Sequence, residues 1–216
     1  MSKSRYVVTI TRQFGSLGRP IAKRMSELLN IEYYDREIVD QAAKKLNLPE
    51  SVVNEDEESA QTAAPSAAST GTPFYLRQMR FPLGKGTSAR QDEIFAAQQN
   101  IIKFLADKET CIIVGRCSDF TLEERENAVH IFIYAPYEKR VENCVKQLHM
   151  DVDEARRMIV QVDEARRSYH LHYAGYAPND ELHKDIMIDS SLLGEEGTAE
   201  YLAELIRRKF PEAKKF

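Results

Sequence analysis

The chain opens with a strand, a glycine-containing turn and a helix in immediate succession. Residues 6–10 (Y-V-V-T-I) form a short apolar, β-branched run that predicts a buried strand. An amphipathic helix is predicted after Pro20, whose missing N–H costs nothing in a first turn. Gly15 and Gly18 lie between the two and would let the backbone turn tightly. Such a turn and the positive end of the helix dipole both favour an anion, which predicts a phosphate-binding loop.

This loop departs from the usual phosphate-loop pattern G-x-x-x-x-G-K-[ST]. Gly18 and Arg19 stand where the Lys and the Ser/Thr are usual, and Leu17 replaces the second glycine. Arg12 or Arg19 could supply the missing charge, and Thr11 or Ser16 could supply a hydroxyl. A strand, turn and helix without any ligand fits the segment equally well, so the loop alone leaves phosphate binding open.

Composition indicates a globular protein of one domain. The chain has 216 residues, of which 43% are hydrophobic and 30% are charged. Its net charge of −4 argues against a nucleic-acid polymer as partner, so an anion site would need local arginines. The start M-S-K-S-R shows no signal-peptide pattern, and no apolar run approaches the roughly 20 residues of a membrane span. We therefore expect a cytoplasmic protein with no membrane partner.

Strand and helix patterns alternate along the rest of the chain. Further strands are predicted at residues 31–35, 110–114, 128–134 and 185–188. Helices are predicted at residues 36–46, 74–79, 88–107, 138–149, 153–172 and 198–210. Most of the strands are continuously apolar, which is typical of a parallel sheet covered by helices on both faces. The acidic, then small and polar stretch at 54–72 predicts a flexible connection.

Polar residues follow the predicted strands, and a parallel sheet binds its ligand beyond the carboxyl ends of its strands. Arg12, Asp35 and Arg116 all occupy such positions, so we expect them at one edge of the sheet. Asp35 could instead cap the helix predicted after it. Arg116 could instead form an ion pair within that edge.

The cysteine and histidine residues give no sign of a metal site. Cys111, Cys117 and Cys144 lack metal-ligand spacing, and we expect buried inert thiols. The histidines likewise lack the spacing of a zinc site. The aromatic run at 169–176 is interpreted as packing, at a hinge or a subunit contact, rather than as a platform for base stacking.

Six segments together resemble the cytidylate kinase-like branch of the P-loop nucleotide kinases. They are I-T-R-Q-F-G-S-L-G-R-P-I-A, Y-Y-D-R-E-I, I-I-V-G-R-C-S-D, I-Y-A-P-Y-E-K-R-V, D-E-A-R-R-S-Y-H and I-D-S-S-L-L-G, in chain order. Gly115 and Arg116 match the family's G-R-D motif, with Cys117 in place of its aspartate. Asp163 and Arg166 match the lid pattern D-x-x-R.

The resemblance implies a three-layer α/β/α P-loop kinase fold with a five-stranded parallel sheet of order 2-3-1-4-5. It implies one domain over residues 1–216, with a flexible acceptor-side insert at about 50–90 and lid helices at about 138–175. The implied cofactors are ATP and Mg²⁺. Asp35 could orient the acceptor or hold Mg²⁺ through water.

The candidate site residues fall into three groups. Those expected to bind the donor phosphates are Arg12, Gly15, Ser16, Leu17, Gly18 and Arg19. Those expected to bind the acceptor are Asp35, Arg36 and Arg116. Those expected to act in catalysis are Arg116, Arg140, Asp163, Arg166 and Arg167.

Two functions remain open at this point. The retained arginines favour an ATP-dependent phosphotransferase that acts on a nucleotide or another small-molecule acceptor. The missing loop Lys and Ser/Thr favour a regulatory module of the same fold that binds a phosphorylated ligand without transfer. A homodimer is compatible with either function.

Overall fold

A computed structural model describes residues 5–35 and 89–211 of the chain. Its centre is a five-stranded parallel sheet in the order β2-β3-β1-β4-β5. The strands are β1 (Val7–Arg12), β2 (Glu32–Tyr34), β3 (Cys111–Val114), β4 (Ala128–Tyr134) and β5 (Ile186–Asp189). The sheet, its strand order and the central place of the first strand confirm the sequence-based prediction.

Helices connect the strands and cover both faces of the sheet. They are α1 (Gly18–Leu29), α2 (Ala89–Lys108), α3 (Ser118–Thr121), α4 (Tyr137–Leu148), α5 (Val152–Ala174) and α6 (Gly194–Lys209). A 3₁₀ turn at Glu181–His183 precedes β5. The sequence did not predict α3 or this turn, because elements so short show no helical periodicity. None of the helices in the described part of the chain is long and apolar enough to cross a membrane.

Several predictions fall on residues that lie outside the described ranges. They are the helices at 36–46 and 74–79, the flexible connection at 54–72 and the substrate-binding role of Arg36. The insert at about 50–90 also lies almost wholly outside these ranges.

Alternate residues of β1 enter two different hydrophobic cores. Val8 and Ile10 pack on the face that α1 and α6 cover, whereas Val7 packs against α2 on the opposite face. All three side chains are fully buried, as expected for a central parallel strand with helices on both sides. The continuously apolar sequence of the strand is thus explained, because neither face meets solvent.

A third core lies between α4 and α5 and includes one residue of the loop after β1. Phe14 packs there with Val141 and Cys144 of α4 and with Ile159 of α5. The segment of residues 13–17, which we call the β1–α1 loop, is therefore anchored by apolar packing on the side away from α1.

The three cysteines are buried, as predicted. Burial raises the pKa of the Cys111 thiol to about 12 and that of Cys144 to about 11. Burial also raises the pKa of Cys117. A thiol that keeps its proton is a poor nucleophile, so these cysteines behave as small apolar residues.

We predict that Leu202→Ala destabilises the fold, because Leu202 of α6 is fully buried in the core beneath α1. The free energy of unfolding, measured in urea, should fall by about 2–5 kcal/mol. Tyr201→Ala is the matched control, since its neighbour Tyr201 is 55% exposed. An equal effect of the two substitutions would contradict the packing described here.

Candidate functional site

The β1–α1 loop turns sharply between the central strand and the first helix. Gly15 and Leu17 both adopt left-handed backbone conformations, with φ of 75° and 61°. A Cβ on Gly15 would lie 2.7 Å from the carbonyl oxygen of Arg140, so this position requires glycine for space as well as for conformation. Leu17 holds the conformation without being glycine, at the residue directly before α1.

Hydrogen bonds fix the loop to the ends of the neighbouring strands. The buried hydroxyl of Ser16 points towards the carbonyl oxygens of Gln13 and Ile133, each 3.0 Å away. The Ser190 hydroxyl, after β5, donates to the carbonyl oxygen of Ser16 at 2.7 Å. Ser16 was predicted to offer its hydroxyl to a ligand. The structure instead turns that hydroxyl inward, where it closes the loop.

Backbone donors remain at the end of the loop. Within residues 5–35 and 89–211, the N–H groups of Leu17 and Gly18 have no hydrogen-bond acceptor. The first N–H of this segment that the helix itself satisfies belongs to Ile21, which donates to the carbonyl oxygen of Leu17 at 3.0 Å. The open N–H groups and the positive end of the α1 dipole therefore lie together at the carboxyl edge of the sheet.

The side chain of Arg12 crosses this edge from β1 towards β3. A Cβ on Gly18 would lie 2.6 Å from the Cβ of Arg12, and a Cβ on Gly115 would lie 2.4 Å from its Nη1. The two glycines thus leave the space that Arg12 occupies. Burial and the nearby charge of Arg166 hold the pKa of Arg12 well below its usual value.

Arg166 of α5 reaches the same place from the opposite side. Its Nη1 donates to the backbone carbonyl oxygen of Arg12 at 3.0 Å. Burial lowers the pKa of Arg166 to about 10, although Asp163 opposes the shift. No carboxylate of the described residues forms an ion pair with Arg12 or Arg166, so positive charge accumulates beside the open N–H groups.

Arg19 and Asp35 neutralise each other at one side of the site. The Nε and Nη2 of Arg19 lie 2.9 Å and 2.5 Å from Oδ2 of the buried Asp35. Burial disfavours the charge of Arg19, but the hydrogen bond and charge of Asp35 outweigh it and raise the pKa of Arg19. Asp35 was predicted to orient an acceptor, to hold Mg²⁺ or to cap a helix, and Arg19 to bind phosphate. The structure pairs them with each other, and those roles stay predictions.

Arg140 of α4 and Asp163 of α5 bind the backbone of the β1–α1 loop at Phe14. Asp163 accepts the N–H of Phe14 at 2.8 Å through Oδ1 and pairs with Nη1 of Arg140 through Oδ2. The same Nη1 donates to the carbonyl oxygen of Phe14 at 3.3 Å. Both residues were predicted to act in catalysis. Their contacts in this structure are with each other and with the loop backbone, and these contacts fix the position of the loop. Their catalytic role stays a prediction.

Arg116 stands at the end of β3 in a strained turn. Gly115, Arg116 and Cys117 all have positive φ, at 80°, 58° and 50°. The side chain of Arg116 forms a hydrogen bond with Tyr169 of α5. Arg167, which was also predicted to act in catalysis, is exposed on α5, and its role stays a prediction.

A buried charged cluster that the sequence analysis missed fixes the second half of α5. Lys184 Nζ lies 2.5 Å from Oδ2 of Asp119, and His170 Nε2 lies 3.0 Å from the same oxygen. His170 Nδ1 lies 2.8 Å from the carbonyl oxygen of Tyr176. Since both groups facing the imidazole can only accept, both ring nitrogens are placed to donate. The three charged residues come from separate segments, so no local pattern could have indicated the cluster.

Asp119 is the anion of this cluster. Burial by itself would raise the pKa of Asp119, but the hydrogen bonds and charges of His170 and Lys184 hold it well below its usual range. The side chains of all three residues are almost completely inaccessible to solvent.

The aromatic run at 169–176 packs within the chain. Tyr173 stacks on Phe95 of α2 with ring centroids 3.9 Å apart, and Tyr169 meets the same ring edge-on. The Tyr169 hydroxyl also donates to Gln98 at 3.2 Å. The run therefore joins α5 to α2, in agreement with its interpretation as packing.

Comparison with known protein families identifies the family of this chain. A model of the cytidylate kinase-like family matches residues 7–192. The chain belongs to the cytidylate kinase-like family. The family and the fold together indicate a kinase-like, nucleotide-binding architecture. No curated protein sequence matches the chain.

Two solved structures illustrate the likeness in fold. An uncharacterized protein from Eubacterium ventriosum ATCC 27560 has a TM-score of 0.66 and 22% identity, over 96% of this chain and 99% of that one. A shikimate kinase from Bacteroides thetaiotaomicron has a TM-score of 0.50 and 12% identity, over 94% of this chain and 99% of that one. At such identities the likeness concerns the fold alone.

We predict that Asp163→Asn destabilises the protein by about 2 kcal/mol, because Arg140 would stay buried without its counter-charge. Asparagine keeps an oxygen for the N–H of Phe14, so the change isolates the ionic contact. Urea unfolding measures the loss. Glu164→Gln, at an exposed neighbouring position, is the control and should leave stability within about 0.5 kcal/mol. Equal stability of Asp163→Asn and the wild type would refute the positioning role.

We further predict a pH-dependent difference in stability between the wild type and Asp119→Asn. The folded-state pKa of Asp119 lies below its unfolded value, so its carboxylate stabilises the fold above about pH 4 and loses that contribution as the pH falls. At about pH 7 the variant should be less stable by about 3 kcal/mol, because Lys184 and His170 lose their counter-charge. Urea unfolding should show the gap narrowing towards about pH 3. A gap that stays constant with pH would contradict this account.

Proposed function

We propose that this chain is an ATP-dependent phosphotransferase that acts on a nucleotide or another small-molecule acceptor. One observation carries the proposal. The open N–H groups of Leu17 and Gly18 lie at the same edge of the sheet as the guanidinium groups of Arg12 and Arg166, which form no ion pair with a described carboxylate. Such a set of donors fits a ligand that carries several negatively charged oxygens.

The charge of the whole protein strengthens this argument. The chain carries a net charge of −4, so general electrostatic attraction does not bring anions to it. Keeping Arg12 and Arg166 charged and half-buried beside each other costs free energy, as their lowered pKa values show. A bound polyphosphate would remove that cost.

The chain's own residues would position and neutralise the reacting groups. When bound, ATP would supply the phosphoryl group that is transferred. The N–H groups of Leu17 and Gly18 would orient the donor phosphates, and Arg12 and Arg166 would neutralise charge on their oxygens. Arg116, at the end of the neighbouring strand β3, would bind the acceptor. Phosphoryl transfer depends mainly on such alignment and neutralisation.

The residues described here do not fit a Mg²⁺ site built on Asp35. Oδ2 of Asp35 already accepts two N–H groups of Arg19, whose positive charge opposes a cation. In the described ranges no group of three or more His, Cys, Asp or Glu side chains is placed to hold a metal ion.

A regulatory module that binds a phosphorylated ligand without transfer is the second candidate. The pairing of Arg19 with Asp35 favours it, because that pair withdraws one cation and one carboxylate from the chemistry. The loop also lacks the lysine and the hydroxyl that usually act at these positions.

Binding and turnover measurements separate the two functions. Isothermal titration with ADP and ATP measures binding, and ADP release with Mg²⁺ and ATP measures transfer across a panel of nucleosides, nucleoside monophosphates and small hydroxyl acceptors. Turnover of one acceptor supports the phosphotransferase. Binding without turnover of any acceptor supports the regulatory module, and no binding at millimolar concentration excludes both.

With an acceptor in hand, we predict that Arg166→Ala lowers kcat at least about a hundred-fold, since it removes a cation beside the transferring group. Arg116→Ala should cause a loss of similar size through the acceptor. Arg208→Ala is the control, because Arg208 is 79% exposed and its ion pair among the described residues is with the surface residue Glu204. Circular dichroism checks that each variant is folded. Turnover within about threefold of the wild type for Arg166→Ala would refute its role.

A further inference from the structure

The usual phosphate-binding lysine is missing from its position in this chain. In the common pattern a lysine on the first turn of the helix reaches the phosphates, and Gly18 stands at that position here. We infer that Arg12, the last residue of β1, replaces that lysine as the side chain that binds the terminal phosphates of the donor. This inference rests on the phosphotransferase or phosphate-binding function proposed above.

The space around Gly18 supports the replacement. A Cβ there would lie 2.6 Å from Cβ and 2.9 Å from Cγ of Arg12, so position 18 has no room for a side chain while residue 12 carries one. The backbone of Gly18 does not itself require glycine, because its φ is not positive, unlike that of Gly15. The side chain at position 12 thus excludes a lysine at position 18, and a cation at this place has to come from elsewhere.

A second glycine makes room for the charged end of the same side chain. The Cβ that Gly115 lacks would lie 2.4 Å from Nη1 and 3.6 Å from Cζ of Arg12. Gly115 directly follows β3, the neighbour of β1 in the sheet. The guanidinium of Arg12 is therefore held over the carboxyl ends of the two central strands, between the start of α1 and the strand that leads to Arg116.

Ion pairing distinguishes Arg12 from Arg19, which also lies near the start of α1. Arg19 is neutralised by Asp35, with two N–H groups on one carboxylate oxygen. Arg12 has no such carboxylate among the described residues, and Arg166 adds a second positive charge at its backbone carbonyl. Of Arg12 and Arg19, which both lie beside the start of α1, Arg12 is thus the one that forms no ion pair with a described carboxylate.

Binding of pyrophosphate and ADP tests the inference without any need for turnover. Arg12→Met should weaken the binding of both, measured by isothermal titration, at least about ten-fold. The same change should raise the melting temperature of the ligand-free protein, because it removes a half-buried charge that folding disfavours. If Arg12 served only the fold, replacing it would lower both the ligand affinity and the melting temperature. Arg208→Met is the matched control for the loss of one charge and should change binding less than about twofold.

A relocated charge gives the sharper test. Arg12→Gly removes the Cβ that blocks position 18, so combining it with Gly18→Lys moves the cation to the usual helical position. This double variant should recover at least about a third of the affinity that Arg12→Met loses. Gly18→Lys alone should weaken binding, because the new side chain collides with Arg12. Arg12→Lys, which keeps the charge, should bind within about five-fold of the wild type and guards against a folding defect in the double variant.

The outcomes separate this inference from the function on which it rests. If the wild type binds pyrophosphate and ADP and Arg12→Met binds them equally well, Arg12 is not the cation, and the proposed function stands. If Arg12→Met loses binding and neither Arg12→Lys nor the double variant regains it, the supply of charge is not its role and the inference fails. If the wild type binds neither ligand, the proposed function fails and the inference falls with it.

Discussion

The carboxylate of Asp163 joins the two parts of the molecule on which the candidate site depends. One oxygen accepts the backbone N–H of Phe14 in the β1–α1 loop, and the other pairs with Arg140 of α4. Because Asp163 and Arg166 are one turn apart on α5, the contact that fixes the loop also brings Arg166 to the backbone of Arg12. The position of the loop and the position of a charged side chain thus have a common cause.

The rest of α5 is fixed by contacts of a different kind. Tyr169 and Tyr173 pack on Phe95 of α2, and His170 joins the buried cluster of Asp119 and Lys184. A buried ion cluster adds little net stability compared with apolar packing, but breaking one member of it is costly. In the described structure these contacts, together with those of Asp163, hold α5 at several points along its length.

Charge at the site is divided between paired and unsatisfied groups. Arg19 and Arg140 each lie against a carboxylate, and their charges serve the fold. Arg12 and Arg166 lie beside the open N–H groups of the loop, and burial disfavours both charges. A cost of this kind is expected where a protein has prepared a place for an anion. This contrast supports our proposal that the site binds a phosphorylated ligand.

The sequence by itself determined the architecture. Continuously apolar strands that alternate with helices are typical of a buried parallel sheet, which the structure has. The segment around Gly15 predicted the turn into α1. Six ordered segments were enough to indicate the family, and the family match over residues 7–192 agrees. These features follow from local periodicity and from motifs, which a single chain displays directly.

Only the tertiary structure decided what each charged residue does. The sequence does not distinguish one arginine from another. It placed all four of these among the phosphate-binding or catalytic candidates: Arg12, Arg19, Arg140 and Arg166. The difference arises because the partners are distant in the chain: Asp163 lies 23 residues from Arg140 and 149 from Phe14. Whether an arginine meets a carboxylate, a carbonyl oxygen or neither depends on how helices pack on the sheet, which no local pattern records.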